Sequence, residues 1–404
     1  MHGPFDFNLR HLDATLAISQ HGSLKAASDA VNLSQPALTQ ALAKLEKSLG
    51  VHLFERQASG TTLTAAGALF LPRVARAIER LRDAGRRLRR SMRLPPIQFF
   101  ERVTSMGHLQ ALVAVEGTGG YVLAARTLGL AQPSVHRAVK ELEATLGMPL
   151  LERAGRAMRP TPQGERLVVA IRLMASELQA GLDELATAAR VGAARIRIGA
   201  LPLSRSALLP DTLALFMRDH PQTDITIIEG PYEELLAALI GAEIDFIVGA
   251  LRHPAPTSAI VQEPLFAEDL FIVARSGHPL AGSADATAAA LATYPWIVGA
   301  TGSPMRQRWD AIFADSAKPA VQIESSSILL ARGLIIDGDW LALMSKDQFR
   351  IERATGLLAP VGGPVPGSRR LIGVTTRTDW LPTTAQAALI ACLKQKAAVR
   401  SSVS

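Results

Sequence analysis

The sequence predicts two small helical units, each with a short β-wing and a long following helix, and then an α/β domain. Three observations carry this expectation. Residues 11–67 align with residues 108–164 at a constant offset of 97, without a gap. Each aligned block runs into apolar residues stepping by three and four. From Arg195 onward, short β-branched runs alternate with helical stretches.

The repeat holds its register at specific residues. His11-Leu12 matches His108-Leu109, Gln35-Pro36 matches Gln132-Pro133, and Leu45-Glu46 matches Leu142-Glu143. Glu55-Arg56 matches Glu152-Arg153, and Thr64 with Gly67 matches Thr161 with Gly164. In copy one, Leu9, Leu12 and Leu16 mark a first helix. A second runs from about Ser23 to Val31, with Leu24, Ala27 and Ala30 facing inward. After the turn Asn32-Leu33-Ser34, Ser34 is a natural N-cap and Pro36 is tolerated in the first turn. Leu38, Leu42, Leu45 and Leu49 then form one buried stripe, with Thr39, Gln40, Lys44 and Lys47 on the opposite face and Gly50 at the end. Leu53 to Thr64, with Gly60 midway, suits the wing.

Two helices joined by a tight turn, the second polar and basic near its start, are suited to entering the major groove of DNA. Amide, hydroxyl and Arg groups reach base edges there, while Lys and the helix N-terminus hold phosphates. The charge distribution agrees. Residues 1–194 hold 24 Lys and Arg against 16 Asp and Glu, a balance of +8, whereas the remainder is at −1. A three-helix bundle used for protein contacts is the structural alternative.

Four blocks in fixed order carry a family resemblance: Gly22 to Ala27, Leu33 to Gln40, Leu45 to Arg56, and Thr64 to Gly67. They resemble the N-terminal signature of LysR-type transcriptional regulators, which normally have one such unit. The resemblance implies winged helix-turn-helix units at 8–67 and 105–164. Their implied DNA-contacting residues are Ser23, Ser34, Gln35, Pro36, Thr39, Gln40, Lys44 and Arg56 in copy one. In copy two they are Gln132, Pro133, Ser134, His136, Arg137, Lys140 and Arg153. Copy two departs from the pattern. Thr118-Gly119-Gly120 replaces the Gly-Ser turn, and Ala131 replaces the capping serine, at a cost of about 1 kcal/mol. It places Ser134, His136, Arg137 and Lys140 where copy one has Ala37, Thr39, Gln40 and Ala43.

Long helices are expected at 68–95 and 165–193. In the second, Leu167, Ile171, Met174, Leu178, Leu182 and Leu185 form a near-heptad stripe. In the family the corresponding helix makes the dimer contact, so a homodimer or tetramer is implied; ordinary core packing would show the same spacing. The first helix carries Leu69, Val74, Ile78, Leu81 and Leu88 and ends in Arg86, Arg87, Arg89, Arg90 and Arg93. That cluster is equally a phosphate contact and a solvated helix end. Pro95-Pro96 stops the helix.

Residues 194–399 read as a βαβ series on a largely parallel sheet, starting with Arg195 to Ala200 and resuming at Trp296 to Gly299. Arg197 to Pro202, Glu229-Gly230-Pro231, Val248 to Arg252 and Gly277 to Leu280 also resemble the family. The Gly249 to Arg252 ending resembles its galactose-binding-protein regulator subgroup. This implies a periplasmic-binding-protein-like effector domain of two α/β lobes around a cleft. Ligands in such clefts bind at strand C-terminal ends, near helix N-termini. The candidates are Leu203, Ser204, Arg205, Tyr232 and Arg252 on one side, and Thr301, Ser303, Met305, Ser325 and Ser326 on the other. Each serine is equally a helix cap, and each arginine equally a surface ion pair.

Enzymatic motifs are absent from the sequence: there is no nucleophile elbow, phosphate loop or paired-Cys or His-x-x-x-His metal spacing. No catalytic residue, metal or cofactor is expected. The single Cys392 cannot form an intrachain disulfide. With no export signal and no long apolar run, a cytoplasmic location is expected. The expected partners are operator DNA, a small-molecule effector (an organic acid, aromatic or sugar) and RNA polymerase. A constitutive DNA-bridging protein, its back half serving only assembly, is the alternative that this sequence leaves open.

Overall fold

The computed structural model describes residues 3–57, 60–189, 194–283, 286–320 and 322–401. The chain forms two compact units: Met1–Arg195 with Gln222–Asp224 and Ile240–Glu243, and the remainder. The first unit contains both copies. Copy one consists of α1 (Leu9–His21), α2 (Leu24–Val31), α3 (Gln35–Leu49), the hairpin β1 (Phe54–Gln57) and β2 (Gly60–Leu63), and α4 (Ala65–Ser91). After a short α5 (Phe100–Val103), copy two repeats the order as α6 (Met106–Thr118), α7 (Tyr121–Leu128), α8 (Gln132–Leu146), β3 (Leu151–Ala154), β4 (Ala157–Pro160) and α9 (Pro162–Ala188). Every boundary in copy two lies 97 residues after its counterpart.

The matched residues explain why the two backbones coincide. Glu46 and Glu143 accept the backbone N–H groups of Leu53 (2.7 Å) and Leu150 (2.8 Å), fixing each reading helix to the start of its wing. Thr64 and Thr161 cap α4 and α9 by accepting from Gly67 and Gly164. Those glycines are obligatory, because a Cβ would lie 2.1 Å from the Leu53 carbonyl oxygen or 2.0 Å from that of Leu150. In α2, Ala27 and Val31 face inward while Ala30 is exposed, a one-residue correction to the expected inner face.

The two long helices pack on each other. Phe70, Val74, Ala77, Ile78 and Leu81 of α4 share one core with Leu167, Ile171, Met174 and Leu178 of α9, continuous with buried residues of α1, α6 and α8. Gly181 admits the Phe70 ring, which would sit 2.8 Å from an added Cβ. The apolar stripe of α9, expected to meet a second chain, is thus covered by α4 of the same chain. Residues 190–193, the expected end of that linker, lie outside the described residues.

A buried ionic cluster locks the pair. The Glu177 carboxylate, 6% exposed, accepts from Arg73 (3.2 Å), Arg76 (2.9 Å) and Arg80 (2.9 Å). Burial pushes this carboxyl's pKa up, but the Arg76 and Arg80 hydrogen bonds outweigh it and hold the pKa below the usual glutamate value. A second cluster ties α4 to α1 and α5: Arg82 donates to Asp13 (2.7 Å) and Glu101 (2.8 Å), and Arg102 donates to Asp13 (2.7 Å).

The second unit holds two five-stranded sheets. Its strands are β5 (Arg195–Ala200), β6 (Asp224–Glu229), β7 (Phe246–Ala250), β8 (Ile260–Glu268), β9 (Leu270–Arg275), β10 (Trp296–Val298), β11 (Gln322–Glu324), β12 (Leu341–Ser345), β13 (Leu358–Val361) and β14 (Arg370–Arg377). Its helices are α10 (Leu208–Asp219), α11 (Tyr232–Ile240), α12 (Ala288–Ala292), α13 (Pro304–Ile312), α14 (Ile328–Asp337), α15 (Arg350–Ala354) and α16 (Thr384–Ser401). One sheet runs β6-β5-β7-β14-β8 and the other β11-β10-β12-β9-β13. β5 pairs parallel with β7, and β10 parallel with β11 and β12. β14 is antiparallel to β7 and β8, and β9 is antiparallel to β12 and β13.

The sheets are therefore mixed, which corrects the expectation of a largely parallel one. The antiparallel members are the strands that join the two lobes. β8 ends one residue before β9 begins, so the chain passes from one sheet to the other there, and it returns between β13 and β14.

Candidate DNA-reading helices and effector cleft

Both reading helices carry a proline in the first turn. In copy one, Ser23 and Ser34 are exposed or nearly so, and their Oγ atoms accept from Ala26 (3.2 Å) and Ala37 (3.3 Å). They cap α2 and α3. Gln35, Pro36, Gln40 and Lys44 are exposed, while Thr39 is half-buried and its hydroxyl donates to the Gln35 carbonyl (2.9 Å). Arg56 lies in β1 opposite Thr61, and its side chain falls outside the described residues.

Copy two has no side-chain cap on α7 or α8. Gln132, Pro133, Ser134, His136, Arg137 and Lys140 are exposed along α8. Among the described residues, Arg137 makes no hydrogen bond or ion pair, so its guanidinium is free for a ligand. Lys140 is partly neutralised by Glu143 at 2.7 Å, and that hydrogen bond raises its pKa. Arg153 donates across the wing turn to the Gly155 carbonyl (3.2 Å). His136 packs edge-on against the Tyr121 ring at 5.0 Å. Tyr121 escaped sequence reasoning because it lies on α7, where copy one has Leu24.

Two arginines near the basic end of α4 have close partners within the protein. Arg86 pairs with Glu79 and Asp83, both at 2.6 Å, and Arg89 donates to the Leu146 carbonyl at 2.9 Å, capping the end of α8. Arg89 thereby takes a structural role, whereas Arg86 is half-exposed in a surface ion pair on its own helix.

In the second unit, the candidate ligand residues separate into two groups. Ser204 is fully buried and its hydroxyl donates to the Leu201 and Val248 carbonyls, both at 2.9 Å, so it is a structural bond beside the also buried Leu203. Arg205 pairs with Glu229. Thr301 donates through its N–H (3.1 Å) and hydroxyl (2.8 Å) to Glu324. Ser303 is the N-cap of α13, accepting from Arg306. Ser325 accepts from the N–H of Ser327, which caps α14, while Ser326 is exposed. Of these serines Ser303 takes the capping role that sequence alone left open, whereas α14 is capped by Ser327, which was not among the candidates.

The other group converges. The Arg252 guanidinium lies over the Tyr232 ring, 4.4 Å from its centroid, and the Tyr232 hydroxyl is buried without a hydrogen-bond partner. Arg370, at the start of β14, contacts the Met305 sulfur at 3.9 Å. Burial lowers the Arg370 pKa, and so do the neighbouring charges of Arg252 and Arg308, while Glu268 opposes them. Among the described residues, none of these three arginines closes a salt bridge with a carboxylate. Sequence reading found Arg252, Tyr232 and Met305 but missed Arg308 and Arg370, which sit on an ordinary helix and strand with no distinguishing motif. No cluster of three or more His, Cys, Asp or Glu suited to a metal occurs among the described residues. None of their helices is long and apolar enough to cross a membrane.

Comparison with known proteins agrees with this layout. The family pattern "LysR substrate binding domain" matches residues 189–398. "Bacterial regulatory helix-turn-helix protein, lysR family" matches twice, at 9–68 and 106–165. The chain is similar to the HTH-type transcriptional regulator GalR of Pseudomonas putida, with 34% identity covering 96% of this chain and 97% of that one. It is also similar to the HTH-type transcriptional regulator PcaQ of Agrobacterium fabrum, at 26% identity, where 94% of the relative matches only 72% of this chain. Among solved structures, a full-length OxyR variant from Pseudomonas aeruginosa shares the fold with a TM-score of 0.54 at 23% identity, covering 72% of this chain and 93% of that one. The family's regulators bind DNA and small-molecule effectors, act as oligomers and are not enzymes. The chain belongs to the LysR family and is a DNA-binding transcriptional regulator with an effector-binding domain.

Proposed function

We propose that this regulator responds to a small anionic effector, most simply a carboxylate, held by Arg252, Arg308, Arg370 and the Tyr232 hydroxyl. The observation that carries the reading is the gathering of three guanidinium groups without a carboxylate salt bridge. Arg370 is half-buried beside two like charges that Glu268 only partly offsets, and charge-assisted hydrogen bonds to a further anion are the strong ones. The unpartnered Tyr232 hydroxyl supplies one more donor.

In this reading, residues 8–67 and 105–164 contact the operator. Ser34 to Lys44 and Gln132 to Lys140 form the two reading faces, with Ser23, Arg56 and Arg153 flanking them. Residues 68–95 and 165–193 link the units, and 194–399 bind the effector. Occupancy of the cleft changes how the reading helices engage DNA, and with it access of RNA polymerase.

Thermal unfolding of the full-length protein against organic acids, aromatic acids and neutral sugars tests the proposal, because a ligand of the folded state raises Tm. Carboxylates should stabilise wild type and lose that effect in R370A. Stabilisation by neutral sugars alone, or undiminished stabilisation of R370A by acids, contradicts it.

A further inference from the structure

Resting on the reading of α3 and α8 as DNA-reading helices, we infer that a single chain recognises a bipartite DNA site whose two halves differ. The two winged units are paired inside the chain by α4 and α9, and each unit reads one half.

The pairing is built to be internal. Arg80 and Glu177 occupy equivalent positions, 97 residues apart, and they meet at 2.9 Å. Two α9 helices packed as α4 packs on α9 would set Glu177 against Glu177. Two α4 helices would set Arg80 against Arg80, with Arg73 and Arg76 adding to the repulsion. Buried like charges are strongly disfavoured, so the unlike helices select each other. The steric match is also one-sided. Phe70 of α4 fills the space left by Gly181 of α9, whereas their own equivalents are Leu167 and Ala84.

A symmetric dimer presents the same reading face twice and therefore favours a palindrome. Here the faces differ. Ala37, Thr39, Gln40 and Ala43 in α3 are answered by Ser134, His136, Arg137 and Lys140 in α8. Gln pairs most naturally with adenine, whereas Arg pairs with guanine. The half read by α8 is therefore expected to be richer in guanine and its recognition more sensitive to salt.

Selection from random-sequence duplex DNA with the full-length protein tests this. Two exchange variants accompany it: S134A/H136T/R137Q/K140A, which gives copy two the face of copy one, and the reciprocal A37S/T39H/Q40R/A43K. The positions are exposed or half-buried, and unchanged Tm verifies folding. Wild type should select two unlike half-sites, and each variant two similar ones. Each variant should also bind the wild-type site about 10- to 100-fold more weakly. A wild-type motif in which neighbouring half-sites are alike, or a motif indifferent to the copy-one exchange, overturns the inference while leaving the DNA-binding reading intact. If no motif is enriched by any of the three proteins, both fall.

Discussion

Copy one and copy two have the same element boundaries at an offset of 97, but their side chains divide the work differently. Copy one caps α2 and α3 with Ser23 and Ser34, and has a small core of its own from Ala14, Ile18, Ala27, Val31, Leu38 and Ala41. Its reading face is polar and mostly uncharged. Copy two lacks both caps, joins its core to that of the long helices, and carries a free Arg137 on its face. The backbone is thus maintained by the residues that repeat, such as Glu46 and Glu143 or Gly67 and Gly164. Recognition is free to diverge at the exposed positions between them.

The largest expected effect comes from breaking the link between the copies. Glu177→Gln removes the carboxylate that Arg73, Arg76 and Arg80 share, leaving Glu184 at 3.9 Å from Arg73, and should cost about 3–5 kcal/mol of unfolding free energy, measured by denaturant titration. The pH dependence has a definite sign. The folded-state pKa of Glu177 lies below its unfolded value, so its stabilisation is present above about pH 4.3 and lost as pH falls through the depressed folded value. Acid titration of Glu177→Gln should lack that limb of the wild-type curve.

Reading by copy two should depend most on Arg137. Arg137→Ala should weaken binding to the selected site by about 1–3 kcal/mol if the guanidinium reads a base edge. A loss uniform across sequences, with a shallower salt slope, would assign it to phosphate instead. Wild-type affinity and slope would remove it from the interface.

Smaller effects sharpen the comparison of caps. Ala131→Ser should stabilise copy two by about 1 kcal/mol, and Ser34→Ala should destabilise copy one by a similar amount. Equal and opposite shifts in unfolding midpoint are expected. No change at Ala131 would mean that the start of α8 has another partner for its N–H groups.

Much of this architecture was legible in the sequence because repetition and periodicity report on local structure. The gap-free register located both winged units, and the α9 stripe located its buried face. What covers that face was not legible, since apolar spacing is the same whether the partner helix belongs to the same chain or to another. The charges that decide it, Arg80 and Glu177, are ordinary helix residues until they are brought together. In the second unit, Pro264 hid β8 as a strand, and the antiparallel joining strands made mixed sheets of an expected parallel one. The effector candidates followed strand ends, a rule that picks out Tyr232 and Arg252, which the structure stacks on each other. Arg370 lies at the start of a strand, where that rule does not look.

The central claim, that the two copies are paired within one chain, can be tested by a single cross-link. A Cβ at position 181 would lie 3.3 Å from that of Arg73, close to the spacing of a disulfide. The pair R73C/G181C is placed on a C392S/F70L background, which removes the native thiol and adopts the leucine that copy two has at the equivalent position. Oxidised protein run under denaturing, non-reducing conditions should lose both thiols and keep the mass of one chain. A disulfide-linked species of twice that mass would contradict the account.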